Sequence, residues 1–185
     1  MKGIKEQFEL FLSSKGFSNH RNELFEDIWK EYYPGLKIFC RTYLCESSDL
    51  DDVCQDIMVK VFNKLHNYNP LYSFNTWLYT IARNHCIDYI RKYKNTEFLF
   101  ENTPSCHNDN PESLFQLSEI NQSVENFLQN LSETDQRIAA LRFSQKLKYN
   151  EIAKVLKMPA GTIRYRVSEI RSKLKRYLED IYETV

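Results

Sequence analysis

Apolar residues recur every three or four positions along most of this chain, which is the period of an amphipathic α-helix. Residues 24–44 keep that period on both sides of Pro34, and they predict a helix pair or one helix disturbed at Pro34-Gly35. A second apolar stripe advances in steps of four and predicts a further helix; it consists of Val53, Ile57, Val61 and Leu65. Four glycines and five prolines are too few for a turn-rich all-β fold, so we expect an all-α protein.

Local signals indicate where these helices start and stop. The capping-box pattern at residues 48–51 precedes the second helix, and the polar run at residues 67–70 ends it. A third helix is expected from about Phe74 to about Lys92. Its apolar face consists of Leu78, Ala82, Cys86 and Tyr89.

The helical pattern returns in the second half of the chain, after a polar segment. Residues 95–112 contain Asn, Ser, Pro and acids without a period, which is typical of a mobile linker. Beyond it the pattern predicts helices at about 112–129, from the cap at 132–135 to about Gln145, at 149–156 and at 160–180. The chain is therefore expected to form two small helical domains joined by a flexible acidic linker.

Charge is segregated along the chain although the formal net charge is zero. Residues 95–130 contain acids but no Lys or Arg, whereas residues 142–176 are basic, with Glu151 and Glu169 as the acids among them. An acidic middle followed by a basic end indicates a polyanion-binding domain beside a solvated linker. Charge alone leaves a second interpretation open, in which the basic residues are a solvated helix face.

The segment from Tyr149 to Leu178 has the pattern of a helix-turn-helix. An apolar face with a small residue at Ala153 is followed by a break at residues 157–159 and by a second amphipathic helix opened by Thr162. Helix-turn-helix turns favour Gly where φ is positive, and Lys157 lies near that place, at a cost of about 1 kcal/mol. An amphipathic hairpin without a role at DNA is the alternative.

The outward side of the second of these helices carries side chains suited to the major groove of DNA, because Arg reads guanine edges and polar groups bind phosphate. These candidate residues are Thr162, Arg164, Tyr165, Arg166, Ser168, Glu169 and Lys173. Glu169 repels phosphate, so it either accepts a hydrogen bond from cytosine or faces solvent.

Cysteine and histidine usage gives no sign of a metal or cofactor. The five cysteines lack a C-x-x-C pair, and neither His85-Cys86 nor Cys106-His107 has tetrahedral-ligand spacing. A reducing cytoplasm fits this usage, and we expect no metal and no cofactor.

Enzyme and membrane signals are also missing from the sequence. The chain has none of the G-x-x-x-x-G-K-[ST], H-E-x-x-H and G-x-S-x-G motifs, so we expect no catalytic residues and no enzyme. It has no apolar run of the ~18–20 residues that span a bilayer, and acids interrupt the apolar part of its N-terminus. We therefore expect neither a signal peptide nor direct membrane insertion.

Two motifs in the first half carry a resemblance to a known family. Residues 52–56 followed by 59–62 resemble its D-(apolar)-x-Q-(acid) helix, and residues 74–84 with 88–92 resemble its F-x-x-W-L-x-x-I-A-R-N…D-x-x-R helix. In the second half, Leu131, Glu151-Ile152-Ala153 and Gly161-Thr162-Ile163 resemble its other conserved domain. The chain resembles an extracytoplasmic-function (ECF, group 4) sigma factor of bacterial RNA polymerase.

The resemblance implies a domain organisation and partners. Residues 1–22 are an N-terminal extension, 23–94 are sigma region 2, 95–114 are the linker and 115–181 are sigma region 4. Region 2 is expected to bind core RNA polymerase and to recognise and melt the −10 promoter element, while region 4 recognises the −35 element. Promoter DNA and an anti-sigma factor are the other implied partners, with no small-molecule substrate. The alternative is a stand-alone helix-turn-helix regulator that does not act through core polymerase.

The resemblance also assigns residues to the two surfaces of region 2. Asp52, Gln55, Asp56 and Lys60 are the candidate core-polymerase contacts, although a solvated charged face is the open alternative. The candidate −10 contacts are Tyr68, Asn69, Tyr72, Trp77, Arg83, Asn84, Asp88, Arg91 and Lys92.

The chemistry of the candidate −10 residues matches that assignment. Arginine and lysine bind phosphates and Asn84 is suited to a base edge, while Asp88 orients a neighbouring arginine or accepts from an exocyclic amine. The loop at residues 68–73 offers aromatic rings for a flipped base, and Trp77 is either a core residue or a strand-separating contact.

Overall fold

In a computed structural model, residues 18–44, 48–97 and 119–183 are described, and every regular element among them is helical. The chain divides into two compact units at Arg91/Lys92, each described by itself below. Residues 98–114 of the linker, the start of the helix expected at about 112–129 and residues 1–17 of the N-terminal extension lie outside the described residues.

In the N-terminal unit, the residues that the structure describes form three long helices. They are α1 (Ser18–Leu44), α2 (Leu50–Lys64), which continues into a 3₁₀ turn at Leu65–Asn67, and α3 (Phe74–Glu97). Of the two possibilities left open around Pro34, the single helix is correct, because Pro34 lies inside α1. The stripe of α2 is buried as predicted, with Ile57, Val61 and Leu65 at 0% exposure. The first residues assigned to the linker, 95–97, are the last turn of α3.

The capping box expected at residues 48–51 does not form. Asp49 is the N-cap of α2, but it lies in a helical conformation and its side chain makes no cap hydrogen bond. Its carboxylate instead accepts a hydrogen bond from the Tyr89 hydroxyl at 2.5 Å, which connects the start of α2 to α3. The acids of the first turn, Asp51 and Asp52, are placed as the helix dipole favours.

The core of the N-terminal unit is rich in aromatic rings and contains three cysteines. Phe39 of α1 packs edge-on against Tyr79 of α3, with ring centroids 5.3 Å apart. Cys40, Cys54 and Cys86 are buried and free, and the sulfurs of Cys40 and Cys86 are 3.7 Å apart. Burying large apolar side chains in this way stabilises by about 1.5–3 kcal/mol each.

The described residues of the C-terminal unit form four further helices. They are α4 (Glu119–Gln129), α5 (Glu133–Ala139), α6 (Tyr149–Leu156) and α7 (Ala160–Glu183). Helix α5 is extended by a π-helical turn at Ala140–Ser144. The cap predicted at Ser132 forms, since its Oγ accepts the Asp135 backbone N–H at 3.2 Å. The core is mainly aliphatic, with Ile138, Leu141, Ile152, Val155 and Ile163 fully buried.

Within the described residues, no helix has an apolar stretch long enough to cross a membrane.

Candidate nucleic-acid interface

The loop at residues 68–73, called here the aromatic loop, contains two tyrosines that differ in exposure. Tyr68 is 5% exposed, and its ring packs against Phe74 and Trp77 with centroids 5.2 Å away in each case. Tyr72 is 65% exposed and Leu71 is 88% exposed. The sequence placed both tyrosines in a base-binding site, and the structure leaves Tyr72 as the accessible ring.

Hydrogen bonds hold the aromatic loop in one shape. The Tyr68 hydroxyl donates to the Tyr72 backbone carbonyl at 2.7 Å, and burial raises the pKa of Tyr68, so the hydroxyl keeps its proton. Asn69 Oδ1 accepts the Leu71 N–H at 2.9 Å, as in an Asx turn. Ser73 Oγ accepts the Thr76 N–H at 3.4 Å at the start of α3. Buried and polar side chains thus present Leu71 and Tyr72 to solvent on a fixed turn.

Trp77 lies at the edge of the core, partly exposed. Its ring is 5.2 Å from that of Tyr68 and 5.5 Å from that of Phe74. The adjacent Tyr32 of α1 donates to Asn75 Oδ1 at 2.8 Å, and burial raises the pKa of this tyrosine far above its ordinary value. Trp77 thus packs partly in the core, and its role as a strand-separating contact stays a prediction.

The exposed side of α3 carries the polar candidates that the sequence placed there. Asn84, Asp88, Arg91 and Lys92 are exposed, and Arg83 is partly exposed. Arg83 Nη1 donates to Asn84 Oδ1 at 3.3 Å, so these two side chains act as a unit. The two interpretations offered for Asp88 stay predictions.

The outward face of α2 consists of Asp52, Gln55, Asp56 and Lys60, all exposed opposite the buried stripe. The structure adds Val59, which is 53% exposed in the middle of this set. An exposed apolar side chain ringed by charged ones is typical of a protein-binding surface. Sequence reasoning missed Val59, although its position seven residues after Asp52 and four after Gln55 puts it on the same helix face. These five residues are called the α2 polar face below.

The helix-turn-helix is formed by α6 and α7. Lys157 ends α6 in the left-handed conformation, with φ 55° and ψ 46°. The Met158 N–H then bonds to the Ala153 carbonyl at 3.0 Å and closes the helix end. The prediction that Lys157 occupies the position of positive φ is therefore confirmed. Helix α7 begins at Ala160, the start predicted by the helix at 160–180, so Thr162 lies in its first turn.

The inward and outward sides of α7 are divided as predicted. Ile163, Val167 and Ile170 are buried, while Leu174 is partly exposed. Arg164, Tyr165, Ser168 and Lys173 are exposed, and Thr162, Arg166 and Glu169 are partly exposed. These seven polar residues are called the recognition face of α7.

One arginine of the recognition face is engaged inside the domain. Arg166 Nη1 donates to Asp135 Oδ1 at 2.9 Å, and the Asp135 side chain is only 15% exposed. Asp135 is also the residue whose N–H is capped by Ser132, so this ion pair connects the first turn of α5 to α7. Arg166 therefore contributes to the packing of the helix-turn-helix, a role that helical spacing does not reveal.

Aromatic rings support three more arginines in the C-terminal domain. The Arg142 guanidinium lies 4.8 Å and that of Arg164 5.9 Å from the centre of the Tyr149 ring. Arg171 lies 5.7 Å from the ring of Phe143, which is 42% exposed in the π-helical turn. Cation–π contacts of this kind fix the side chains while leaving the charge at the surface.

Metal-binding side chains do not gather anywhere in the described residues, where no group of three or more His, Cys, Asp or Glu is suited to a metal ion. Cys86 is a buried core residue, and Cys106-His107 lies outside the described residues.

Comparisons with known proteins agree with this architecture. The family model "Sigma-70 region 2" matches residues 28–96, and "Sigma-70, region 4" matches residues 127–176. The RNA polymerase sigma factor YlaC of Bacillus subtilis is 31% identical over 85% of this chain and 92% of its own length. The ECF RNA polymerase sigma factor RpoE of Cereibacter sphaeroides is 27% identical over 89% of this chain and 92% of its own.

Two solved structures share the fold. The sigma factor RpoE of Bartonella quintana, crystallised with the anti-sigma factor NepR, superposes with a TM-score of 0.63 at 23% identity, over 84% of this chain and 96% of that one. CnrH, in complex with the cytosolic domain of CnrY, gives a TM-score of 0.61 at 19% identity, over 96% of this chain and 97% of that one. Because a region 2 match accompanies the helix-turn-helix, a stand-alone regulator is not supported. The chain belongs to the extracytoplasmic-function family of RNA polymerase sigma factors.

Proposed function

We propose that this protein binds the core enzyme of RNA polymerase and directs it to promoters, with region 2 opening the −10 element and region 4 binding the −35 element. The observation that carries the proposal is the aromatic loop, where Tyr72 projects at 65% exposure from a turn fixed by buried Tyr68. The loop adjoins α3, whose exposed side carries arginine and lysine. A ring for a base beside cations for phosphates is the combination that single-stranded DNA requires.

Strand opening in this proposal uses binding energy alone. Stacking a base on an aromatic ring is worth about 1–3 kcal/mol, which is close to the few kcal/mol needed to take one base out of the duplex. Tyr72 supplies the ring, and Arg91 and Lys92 supply charge for the backbone. Asn84, oriented by Arg83, tests a base edge. No bond is made or broken by the protein, so we propose that it is not an enzyme and needs no cofactor.

The α2 polar face is proposed as the polymerase-binding surface. Val59 supplies the apolar centre, and the charged residues around it select the partner and its orientation. This surface belongs to a different helix from the −10 candidates, so one domain is able to hold polymerase and DNA together. The site of action proposed from this role is the cytoplasm, where transcription takes place.

The recognition face of α7 is proposed to enter the major groove. Arg164, exposed and supported by the Tyr149 ring, is the candidate for direct contact. Lys173 and Ser168 are suited to the phosphates beside the groove. An anti-sigma factor is proposed as a regulatory partner, by analogy with the complexes of the Bartonella sigma factor and of CnrH.

Transcription in vitro tests the proposal. Core RNA polymerase from the same bacterium, mixed with the purified full chain, is expected to start transcripts at defined sites on a library of promoter fragments. Core polymerase alone is the control. If start sites with and without the protein were the same, the sigma-factor role would be rejected.

Pull-down of core polymerase tests the α2 polar face separately. Asp56→Arg reverses a charge within the face and is expected to lower recovery of polymerase. Glu26→Arg makes the same change on α1, where Glu26 is exposed and paired with Lys30, and should leave recovery unchanged. Equal recovery of polymerase with Asp56→Arg and with the wild type would exclude this face as the binding surface.

A further inference from the structure

A histidine of α3, His85, contacts the α2 polar face. His85 Nδ1 lies within hydrogen-bonding distance of Lys60 Nζ. Because a lysine ammonium has donors and no acceptor, Nδ1 must be the acceptor and must carry no proton. The imidazole is therefore neutral, and its proton is on Nε2.

The second ring nitrogen points toward an acid of the same face. His85 Nε2 is 3.9 Å from Asp56 Oδ2, which is too long for a hydrogen bond, and the atom is buried without a hydrogen-bond partner among the described residues. The His85 side chain is 11% exposed, whereas that of Asp56 is 72% exposed. The ring thus lies between the side chains of Asp56 and Lys60, which are one helical turn apart on α2.

The charged groups around the ring act in opposite directions. Burial, followed by the positive charge of Lys60, lowers the pKa of His85, while Asp56 and Asp88 raise it by a smaller amount. The pKa of His85 is therefore below its ordinary value of 6.5. At neutral pH the ring accepts from Lys60, and in acid a proton on Nδ1 would remove that acceptor and repel the ammonium.

Without the histidine, Asp56 and Lys60 would be free to pair with each other, since they are spaced i, i+4. A partner would then have to break that pair and order a long lysine side chain on binding. We propose that His85 is a positioning residue for polymerase binding: it holds the Lys60 ammonium apart from Asp56, so that the α2 polar face presents both charges at a fixed spacing. The inference rests on the proposed role of this face.

Two substitutions separate positioning from packing. His85→Leu introduces an apolar side chain of similar size and removes the acceptor. His85→Asn keeps an acceptor oxygen at the position of Nδ1 and cannot titrate. Thermal unfolding of the full chain identifies variants that fold like the wild type. If His85→Leu does not fold, the comparison of the wild type with His85→Asn tests the proposal.

The main measurement is the dissociation constant of the full chain for core polymerase at pH 7.5 and at successively lower pH. His85→Leu is expected to weaken binding at pH 7.5 by about 2–10-fold, the effect of leaving one long side chain unordered. His85→Asn should bind within about twofold of the wild type. As the pH falls through the lowered pKa of His85, the wild type should lose affinity relative to His85→Asn, a comparison in which titration of the polymerase cancels.

Outcomes distinguish this inference from the proposed function. If Lys60→Ala weakens binding but His85→Leu does not, the positioning role of His85 is rejected, and the α2 polar face is retained as the polymerase-binding surface. The same rejection follows if His85→Leu weakens binding equally in the Lys60→Ala background, because its effect is then structural. If neither Lys60→Ala nor Asp56→Arg alters binding, the proposed face itself fails. Lys30→Ala, at an exposed position of α1, is the control for loss of one positive charge.

A polymerase-free measurement tests the contact by itself. Nitrogen chemical shifts of His85 in the full chain should report the Nε2–H tautomer at pH 7.5. Lys60→Ala should raise the pKa of His85, since the lysine charge is one of its lowering causes. An Nδ1–H tautomer, or a pKa unchanged by Lys60→Ala, would overturn the inference whatever the polymerase assay gives.

Discussion

The two domains differ in the side-chain packing that stabilises each of them. In the N-terminal domain aromatic rings pack on one another, from the stacked Trp29 and Tyr33 at 4.7 Å to the cluster of Tyr68, Phe74 and Trp77. In the C-terminal domain the core is mainly aliphatic, and arginines pack over rings or pair with the partly buried Asp135. In the first domain Tyr68 and Trp77 are both packing residues and candidate DNA contacts, but the exposed Tyr72 lies outside this packing, whereas Arg166 of the second domain is a candidate DNA contact that takes part in it.

This difference determines what a substitution measures. In the N-terminal domain Tyr72 projects from a loop whose shape depends on Tyr68, so the exposed ring is removable with little effect on the fold. In the C-terminal domain Arg166 is a candidate groove residue and also one half of an ion pair with Asp135. Loss of DNA binding is therefore direct evidence of a contact in the first case and ambiguous in the second.

The largest expected effect is on promoter opening. Tyr72→Ala removes the exposed ring and should reduce open-complex formation by about 1–3 kcal/mol, the value of one stacked base. Permanganate reactivity of melted thymines measures opening, and the thermal stability of the protein should be unchanged. Tyr72→Phe keeps the ring and should restore opening, while Leu71→Ala controls for loss of an exposed apolar side chain. Normal opening with Tyr72→Ala would remove the loop from the mechanism.

A smaller effect is expected at the ion pair of the C-terminal domain. Arg166→Ala should lower the free energy of unfolding by about 1–2 kcal/mol, since it leaves a mostly buried carboxylate without its partner. Asp135→Asn should cause a similar loss, which denaturant unfolding measures.

Arg164→Ala is the matched substitution two residues away. The side chain is exposed and its cation–π contact is long, at 5.9 Å, so stability should change little. Duplex binding should instead weaken, with the salt dependence of log K reduced by about 0.9 if one phosphate contact is lost. If Arg166→Ala left stability unchanged, the proposed overlap between fold and binding residues would be wrong.

Periodicity predicted the parts of this structure that depend on neighbours along the chain. The helix at 149–156, the buried stripe of α2 and the left-handed position at Lys157 all follow from local spacing. It did not separate Tyr68 from Tyr72, because the two share a loop, and it did not reveal that Arg166, about 200° around α7 from Arg164, pairs with Asp135. Those distinctions depend on Trp77 and Asp135, which lie elsewhere in the sequence. The capping box expected at residues 48–51 was wrong for the same reason, since the carboxylate of the N-cap Asp49 accepts from distant Tyr89 instead.

The turn of the helix-turn-helix gives a prediction of opposite sign. Lys157 adopts φ 55°, which is costly for a residue with a Cβ. Lys157→Gly should therefore stabilise the C-terminal domain by about 1 kcal/mol, or raise its Tm by about 4–8 °C. Lys154→Gly, on an exposed turn of α6, is the control and should destabilise by a similar amount, because Gly is unfavourable inside a helix. Destabilisation by both would argue against strain at Lys157.

The smallest effect is expected at two buried hydroxyls of the N-terminal domain. The Tyr79 hydroxyl is buried without a hydrogen-bond partner among the described residues, and burial raises its pKa far above the ordinary value. Tyr79→Phe removes a desolvated polar group while keeping the ring against Phe39, so stability should rise by about 0.5–1 kcal/mol. Tyr68→Phe removes a hydroxyl that does have a partner, the Tyr72 carbonyl, and should lower stability by about 1 kcal/mol. Stability changes of opposite sign from the same chemical change would show that aromatic rings stabilise this domain while hydroxyls fix the shape of its loop. A loss of stability in both variants would mean that the Tyr79 hydroxyl has a hydrogen-bond partner, such as a buried water.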